Sequence, residues 1–276
     1  MKILTVDAFT DTSFAGNPAS VCLLDREMSP DWMQAVAAEM NHSETAFIES
    51  RSDGTFKIRW FTPSTEVLLC GHATLASAHV LWEEALIESD EIVFDSASGP
   101  LVCRRDGTLI AMDFPSRPPH ATDAPSELFE ALGTTSDLVF RNTDDILVEL
   151  RSEREVVDVK PDFGRLRKID CRGVIVTARA DDPDVDFVSR FFAPRIRVIE
   201  DPVTGSAHCA LAPYWSQRLE KSDMLGFQAS QRGGYVRVSM VDRDRVLLMG
   251  QAVTIMRGNL AESVMRHHPG EKSMPK

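Results

Sequence analysis

The sequence predicts a mixed α+β protein made of two similarly folded halves. The chain has 276 residues, of which 43% are hydrophobic and 26% are charged, which suits one large globular domain or two of moderate size. Short β-type runs alternate with a few helical segments along the chain. A pair of motifs in the first half recurs in the second half, which indicates an internal duplication.

The first half contains two clear helix signals among its strand patterns. Ser29-Pro30-Asp31 supplies the N-cap, the first helical residue and the first-turn acid of a helix, which is expected to end at about Met40. A second helix is expected over Gly71–Leu86, where apolar residues recur at helical spacing. A turn at Gly16-Asn17-Pro18 is expected to precede a strand. Residue patterns predict strands at 3–9, 21–24, 45–50, 55–61, 91–94, 101–105 and 109–114.

A proline cluster at 115–119 is the best candidate for a domain boundary, and its alternative interpretation is a surface loop within one domain. The expected halves are therefore 1–116 and 117–276. In the second half a helix is expected near 126–132, with strands near 138–141, 145–150 and 173–178. The division leaves room for the last strand to return to the N-terminal half, and the tail at about 265–276 is expected to be disordered.

Composition and charge exclude several classes of function. The chain has 30 Lys+Arg against 42 Asp+Glu, a formal net charge of −12, which repels a nucleic-acid backbone. Asp7 follows the N-terminus too soon for a signal peptide, and no stretch approaches the roughly 18 apolar residues of a membrane span. The five cysteines are scattered and form no CxxC pair, so free thiols in a reducing compartment are expected. We therefore expect a cytoplasmic protein that binds neither nucleic acid nor membrane.

An internal repeat is the strongest feature of the sequence. Arg59-Trp60-Phe61-Thr62-Pro63 resembles the segment 190–194 (RFFAP) at an offset of 131, and 70–76 (CGHATLA) resembles 204–210 (TGSAHCA) at an offset of 134. Each copy contains an aromatic strand, a proline turn, a loop and a glycine that opens a helix. An offset near half the chain length indicates two similar halves, and the alternative is two unrelated helix starts, each solvated.

The helix starts at Gly71 and Gly205 indicate anion binding. The first backbone N–H groups of a helix lack intrahelical partners and lie at the positive end of its dipole. Neither start has an acidic residue in its first turn, and glycine lets a ligand approach the backbone closely. If the halves face each other, both termini point into one cleft, and a small molecule with a carboxylate is the expected ligand.

Several long motifs follow one another along the chain: Phe9 with 14–19 (FAGNPA), 41–47 (NHSETAF), 59–63 (RWFTP) with 71–74 (GHAT), and 200–207 (EDPVTGSA). Together and in this order they resemble the PhzF-like family of phenazine biosynthesis-type isomerases, and the resemblance extends from Val6 to about Val238. It implies the diaminopimelate epimerase-like fold, in which each half is a β-sheet wrapped around a central helix. It also implies an active site between the halves and, commonly, a homodimer.

The resemblance implies that Glu44 is the proton-transferring residue. A carboxylate among small and apolar neighbours is expected to lose water, which raises its pKa and suits a general acid/base, although a lone Glu is ordinarily a solvated surface residue. His72 and Asp201 are expected to act with it, His72 by binding substrate or relaying a proton and Asp201 by orienting a substrate amine or steadying His72. Without the resemblance, His72 would be interpreted as a structural histidine. The expected substrate-binding residues are Ser43, Gly71, Gly205 and Ser206.

The cysteines argue against a two-thiol racemase. Amino-acid racemases and epimerases of this fold use one cysteine from each half as paired base and acid. Cys70 occupies the first position, but its repeat partner is Thr204, which is not a carbon-acid base at neutral pH, and Cys209 lies too far into the helix to replace it. A two-thiol mechanism is therefore excluded, and Cys70 is interpreted as a small buried residue.

No sequence motif predicts a cofactor or a metal. The dinucleotide and P-loop glycine patterns are missing, His42-Ser43-Glu44 lacks the P-C-x-x-C partner of zinc deaminases, and no ligand set has ordinary zinc spacing. Ser206 does not lie in the G-x-S-x-G turn of hydrolases. The expected function is a cofactor-independent isomerase that shifts a proton on a small carboxylate-bearing, amino-acid or dihydroaromatic amino-acid-like metabolite. The alternative is a non-catalytic small-molecule-binding or partner-binding protein that retains the cleft.

Overall fold

The described part of the chain is rich in strands, with seven helices between them. The structure, a computed structural model, describes residues 1–265. The strands are β1 (Lys2–Ala8), β2 (Asn17–Leu24), β3 (Glu44–Ser50), β4 (Phe56–Phe61), β5 (Glu66–Val67), β6 (Glu91–Ser96), β7 (Gly99–Asp106), β8 (Leu109–Pro115), β9 (His120–Ala121), β10 (Val139–Arg141), β11 (Asp145–Glu149), β12 (Gly173–Arg179), β13 (Phe187–Ala193), β14 (Val198–Asp201), β15 (Asp223–Gln228), β16 (Gly234–Met240), β17 (Arg245–Gly250) and β18 (Ala252–Asn259). The helices are α1 (Pro30–Met40), α2 (Gly71–Glu83), α3 (Leu128–Leu132), α4 (Glu153–Asp158), α5 (Phe163–Leu166), α6 (Gly205–Leu219) and α7 (Glu262–Met265), with a 3-10 helix at Pro194–Ile196. Beyond Met265, the tail that the sequence predicts to be disordered lies outside the described residues.

The chain divides into two compact units. The first consists of Met1–Phe14, Pro18–Ile110 and the chain from Gln251. The second consists of Ala15–Asn17 and Ala111–Gly250. Each unit contains one of the two glycine-led helices, α2 in the first and α6 in the second.

The change of unit after Ile110 lies inside β8, six residues before the predicted division at 116. The chain beyond it is hydrogen-bonded to residues of the second unit. The backbone N–H of Ser116 donates to the carbonyl of Asp244 at 2.7 Å, and that of Arg117 donates to the carbonyl of Cys209 at 2.9 Å. The proline cluster is therefore a connection within the second unit, and the last strand, β18, lies in the first unit because it pairs antiparallel with β1.

The first unit combines parallel and antiparallel strand pairs. β2 runs parallel to β3, β3 antiparallel to β4, β4 parallel to β6, and β6 antiparallel to β7. α2 packs against β1, β3 and β18, and α1 packs against β3 and β4. In the α1 layer, Trp32 lies edge-on to Phe47, with 6.1 Å between the ring centroids, and Phe47 lies edge-on to Phe61 at 5.6 Å, which is a preferred aromatic geometry.

The second unit repeats this order of pairings. β11 runs parallel to β12, β12 antiparallel to β13, β13 parallel to β15, and β15 antiparallel to β16. α6 packs against β15, β16 and β17, while α4 packs against β12 and β13. The repeat detected in the sequence is therefore a repeat of strand order and direction.

Both central helices are buried over most of their length, as expected for helices that a sheet surrounds. Nine residues of α2 and ten of α6 are buried. Among residues 1–265, no helix is both long enough and apolar enough to cross a membrane.

Local departures from the predicted elements have backbone causes. The helix expected to Leu86 ends at Glu83, because Ala85 adopts a left-handed conformation with φ 54°. The turn expected over Gly16-Asn17-Pro18 ends at Gly16, whose φ is 64°, because the strand already begins at the fully buried Asn17. The helix α1 has its predicted N-cap, since Ser29 Oγ accepts a hydrogen bond from the backbone N–H of Trp32.

Candidate active site

Glu44 and His72 lie together in the first unit. Glu44 is the first residue of β3, and His72 is the second residue of α2. The Oε2 atom of Glu44 lies 3.3 Å from Nε2 of His72, with the Glu44 side chain 18% exposed and the His72 side chain 5% exposed. The structure therefore brings together two of the three predicted catalytic residues, with a limited opening to solvent at the carboxylate.

The imidazole of His72 is neutral at physiological pH. Burial, with a smaller contribution from nearby His42, lowers the pKa of His72 to about 3, because a charged ring loses its hydration inside the protein. A neutral imidazole carries one ring proton and one lone pair. His72 can therefore donate or accept a hydrogen bond without adding positive charge beside Glu44.

The start of α2 has no side-chain cap. Cys70 is the N-cap residue, its side chain accepts no capping hydrogen bond, and the first turn contains no acidic residue. Thr74 Oγ1 donates to the Cys70 carbonyl at 2.6 Å and so bonds the backbone of the N-cap residue. The expected uncapped helix start at Gly71 is confirmed, which leaves the dipole of α2 available to an anion.

Three residues near this group were not assigned a role from the sequence. Cys70 is buried, as predicted, but its Sγ lies 3.5 Å from Nδ1 of His72. Ser20, fully buried in β2, lies with its Oγ 2.7 Å from Nδ1 of His42. Parallel pairing of β2 with β3 brings Ser20 to this end of the sheet, and the pairing of distant strands leaves no local signal in the sequence.

Asp201 lies in the second unit, at the end of β14, where two side chains hold its carboxylate. Thr204 Oγ1 donates to Oδ2 at 2.5 Å, and Asn17 Nδ2 donates to Oδ1 at 2.8 Å. Burial nevertheless raises the pKa of Asp201 to about 6, although both hydrogen bonds and the charge of Arg172 lower it. Asp201 is thus a fixed carboxylate that gains or loses its proton just below neutral pH.

The start of α6 repeats the uncapped arrangement of α2. Its N-cap residue, Thr204, makes no side-chain cap, and the first turn contains no acidic residue. The backbone N–H of Thr204 donates to Oε1 of the buried Gln228 at 2.9 Å, and Gln228 Nε2 donates to the Asp201 carbonyl at 2.7 Å. Gln228 therefore fixes the loop between β14 and α6, and sequence reasoning missed it because it lies 24 residues downstream of Thr204.

The remaining predicted residues divide between the units. Ser43 directly precedes Glu44 and is partly exposed, and Gly71 opens α2 in the first unit. Gly205, which is buried, and Ser206, which is partly exposed, form the first turn of α6 in the second unit. Each unit thus contains a carboxylate and an uncapped helix start. The expectation that Asp201 steadies His72 stays a prediction.

Comparisons with a family model, with known sequences and with solved structures all indicate the same family. A family model described as phenazine biosynthesis-like protein matches residues 6–258. A protein of Halalkalibacterium halodurans named as an isomerase is 49% identical over 260 residues, which cover 94% of this chain and 97% of that protein. The crystal structure of a PhzF-family protein from Enterococcus faecalis is 40% identical, with a TM-score of 0.89 and coverage of 93% of this chain and 97% of that chain.

A more distant likeness concerns the fold alone. A probable proline racemase from Agrobacterium radiobacter K84 is 10% identical, with a TM-score of 0.65, and the match covers 94% of this chain and 92% of that one. The predicted fold class, with two halves that each wrap a sheet around a helix, is confirmed by these structures and by the repeated strand order.

Proposed function

The chain belongs to the family of phenazine biosynthesis-like proteins and is an isomerase of that family, and from this premise we propose that it moves a proton between carbon atoms of one small metabolite. The proposed substrate bears a carboxylate and is an amino acid or a dihydroaromatic amino-acid-like molecule. The proposed reaction needs no cofactor. The observation that supports it best is the partly buried carboxylate of Glu44 beside the neutral imidazole of His72.

Glu44 is the proposed general acid/base. A carbon-to-carbon proton shift needs one group that removes a proton and returns it to another carbon, and a carboxylate does both in succession. A side chain only 18% exposed keeps most bulk water away from the reacting carboxylate, while its exposed part lets the carried proton exchange with solvent between turnovers. Ser43, which directly precedes Glu44 and is partly exposed, is proposed to bind substrate.

His72 is proposed to position Glu44 and to receive a polar group of the substrate. The Nε2 atom of His72 lies 3.3 Å from Oε2 of Glu44, so the ring is close enough to hold the carboxylate in place. Because His72 is neutral, it orients the carboxylate without the strong attraction that a cation would exert on the negative charge.

Asp201, Gly71, Gly205 and Ser206 are proposed to bind the polar groups of the same substrate. The two uncapped helix starts favour an anion such as a carboxylate. Asp201 is mostly ionised at pH 7, since its pKa is about 6, and can pair with a substrate amine. An amino-acid-like molecule supplies both groups.

Solvent-deuterium wash-in tests the proposal. Wild type, Glu44→Gln and the control Glu49→Gln, which changes a second glutamate of β3, are incubated in heavy water with a panel of amino acids and dihydroaromatic acids. Proton NMR then follows loss of C–H signals. We expect exchange by wild type and Glu49→Gln, and a loss of roughly 1,000-fold or more in Glu44→Gln.

Two results would contradict the assigned role. Equal exchange by wild type and Glu44→Gln would place the base on another residue. Stoichiometric binding of a carboxylate without exchange would favour the non-catalytic binding protein instead. Circular dichroism of each variant separates a loss of chemistry from a loss of folding.

We also propose that the protein is cytoplasmic and forms a homodimer. The free thiols of all five cysteines fit a reducing compartment, and the net charge of −12 does not favour nucleic acid as a partner. Light scattering coupled to gel filtration measures the assembly, and a mass near 30.7 kDa, that of one chain, would contradict the dimer.

A further inference from the structure

Three side chains with different donor atoms converge at the start of α2. A carboxylate oxygen of Glu44, Sγ of Cys70 and a ring nitrogen of His72 lie within 4.8 Å of one another. Within residues 1–265, no other group of three His, Cys, Asp or Glu side chains meets this spacing. Oxygen, sulfur and imidazole nitrogen are the three donor types that zinc accepts in proteins.

Two of the contacts in this group have the spacing of neighbouring ligands in a tetrahedral site. Zinc bonds of about 2.0–2.3 Å at tetrahedral angles place neighbouring ligand atoms roughly 3.3–3.7 Å apart. Here Nε2 of His72 is 3.3 Å from the Glu44 oxygen, and Nδ1 of His72 is 3.5 Å from Sγ of Cys70. Because the two contacts use different ring nitrogens, one side chain must rotate before all three donors can bind a single ion. That rotation is small, since the three donor atoms already lie within 4.8 Å of one another.

Regular secondary structure holds the three donors in place. Cys70 is the N-cap residue of α2, His72 is in its first turn, and Glu44 begins β3. α2 packs directly against β3, so the backbone positions are fixed by the fold. A preformed set of ligands lowers the ordering cost of binding, and the exposed part of Glu44 gives a cation access.

We propose that Glu44, Cys70 and His72 bind a thiolate-preferring divalent cation, Zn²⁺ above all, with water as the fourth ligand. As the metal–sulfur bond forms, the Cys70 thiol releases its proton to solvent, and no electron is transferred. Mg²⁺ and Ca²⁺ are not expected to bind, because they prefer sites made only of oxygen donors.

Binding at this site would inhibit the isomerase, and this consequence rests on the proposed function. A Glu44 carboxylate that coordinates a cation cannot accept a proton from substrate carbon. The same ion would occupy the lone pair of His72. The cation is therefore an inhibitor that competes with substrate, and not a participant in the reaction.

The second unit lacks an equivalent site, which makes the proposed stoichiometry one ion per chain. The strand that corresponds to β3 begins with Gly173, and the corresponding helix start has Thr204 and Ser206 in place of Cys70 and His72. A hydroxyl group is a poor ligand for Zn²⁺ compared with thiolate or imidazole.

Cobalt substitution tests the site without any substrate. Metal-free protein is titrated with Co²⁺ and followed by absorption, because cobalt bound to thiolate gives a near-ultraviolet charge-transfer band and tetrahedral cobalt gives strong visible bands. We expect one equivalent to produce both signals and Zn²⁺ to abolish them. Mg²⁺ at the same concentration should leave them unchanged.

Variants identify the ligands. Cys70→Ser should lose the charge-transfer band and bind Co²⁺ at least about 10-fold more weakly, while the control Cys171→Ser, which changes a partly exposed thiol of the second unit, should behave as wild type. Glu44→Gln should weaken binding and keep the charge-transfer band. No charge-transfer band in wild type, or an unchanged band in Cys70→Ser, would overturn the site.

The two proposals fail in different ways. If deuterium exchange succeeds but the cobalt bands are missing, the isomerase stands and the metal site does not. If the bands appear but no compound exchanges, the metal site stands alone. Should both succeed, micromolar Zn²⁺ must suppress exchange, and exchange that persists with the site loaded would refute the inhibitory role.

Discussion

The two units share one plan and differ at the residues that could do chemistry. In both, a parallel strand pair leads to an antiparallel pair and then to a glycine-led central helix. Even the first helical turn is alike: Thr74 Oγ1 donates to the Cys70 carbonyl, and His208 Nδ1 lies 2.8 Å from the Thr204 carbonyl. The shared features are those that build an uncapped helix start.

In each unit the second strand of the first parallel pair is β3 or β12, and only β3 begins with a carboxylate residue. β3 begins with Glu44 and β12 begins with Gly173. A Cβ atom at Gly173 would lie 2.3 Å from the ring of Phe191, so the aromatic ring fills the space that a side chain would need. The duplication therefore retains one such carboxylate, which fits a reaction with a single base.

The largest expected difference between the two units concerns the side chains at their matched helix starts, His72 and Ser206. His72→Gln should slow deuterium exchange about 100-fold or more, chiefly through the turnover rate, because His72 contacts the proposed base. Ser206→Ala should slow it only about 10-fold, chiefly through substrate affinity, because it removes one hydrogen bond. Steady-state rates of wash-in measure both, and His79→Gln on α2 is the matched control. Equal losses in the two variants would mean that the units contribute alike.

Burial gives Asp201 a raised pKa, which makes the stability of the folded chain depend on pH. Its pKa of about 6 in the folded protein exceeds the ordinary value of 3.8. Between these values the folded chain keeps a proton that the unfolded chain releases, so the contribution of Asp201 to stability is greatest below pH 3.8 and falls as pH rises through 6. The loss amounts to about 3 kcal/mol. Asp201→Asn should remove this dependence, and urea unfolding of both proteins from pH 4 to 7 measures the difference; parallel curves would show that Asp201 titrates normally.

Gly173 tests whether the missing carboxylate has a steric cause. Gly173→Ala should lower the free energy of unfolding by about 1–3 kcal/mol, because Phe191 must move away from the new Cβ. Gly258→Ala in β18 is the matched control, since nothing lies within 4 Å of its Cβ position. Denaturant unfolding measures both, and equal effects would mean that the ring does not enforce the glycine.

Much of this architecture could be predicted from local sequence. The repeat, the glycine-led helices and the N-cap at Ser29 are short-range patterns, and all three are found in the structure. The contacts of Cys70 with His72 and of Gln228 with the start of α6 could not be predicted, because strand pairing and side-chain rotamers determine them. The proline cluster alone does not show which unit the segment around it joins, and the hydrogen bonds of Ser116 and Arg117 to Asp244 and Cys209 connect it to residues of the second unit.

The smallest expected difference concerns two matched arginines in the repeated aromatic strands. Arg59 binds Glu66 through Nε and Nη2, and Arg190 binds Glu200 in the same way. Arg190 Nη1 also donates to three carbonyls at the end of α4, the closest being that of Val159 at 2.8 Å. A lysine can keep the ion pair but cannot bind both partners at once.

We therefore expect Arg190→Lys to destabilise the protein by about 2 kcal/mol and Arg59→Lys by less than about 1 kcal/mol. Thermal unfolding of the two variants beside wild type measures this difference. A larger loss for Arg59→Lys would contradict it, since Arg59 is the more exposed of the two, at 22% against 13%. A larger loss of stability for Arg190→Lys would mean that the arginine of the repeated motif has a further structural role in the second unit. There it connects α4 to the sheet, whereas Arg59 in the first unit binds Glu66.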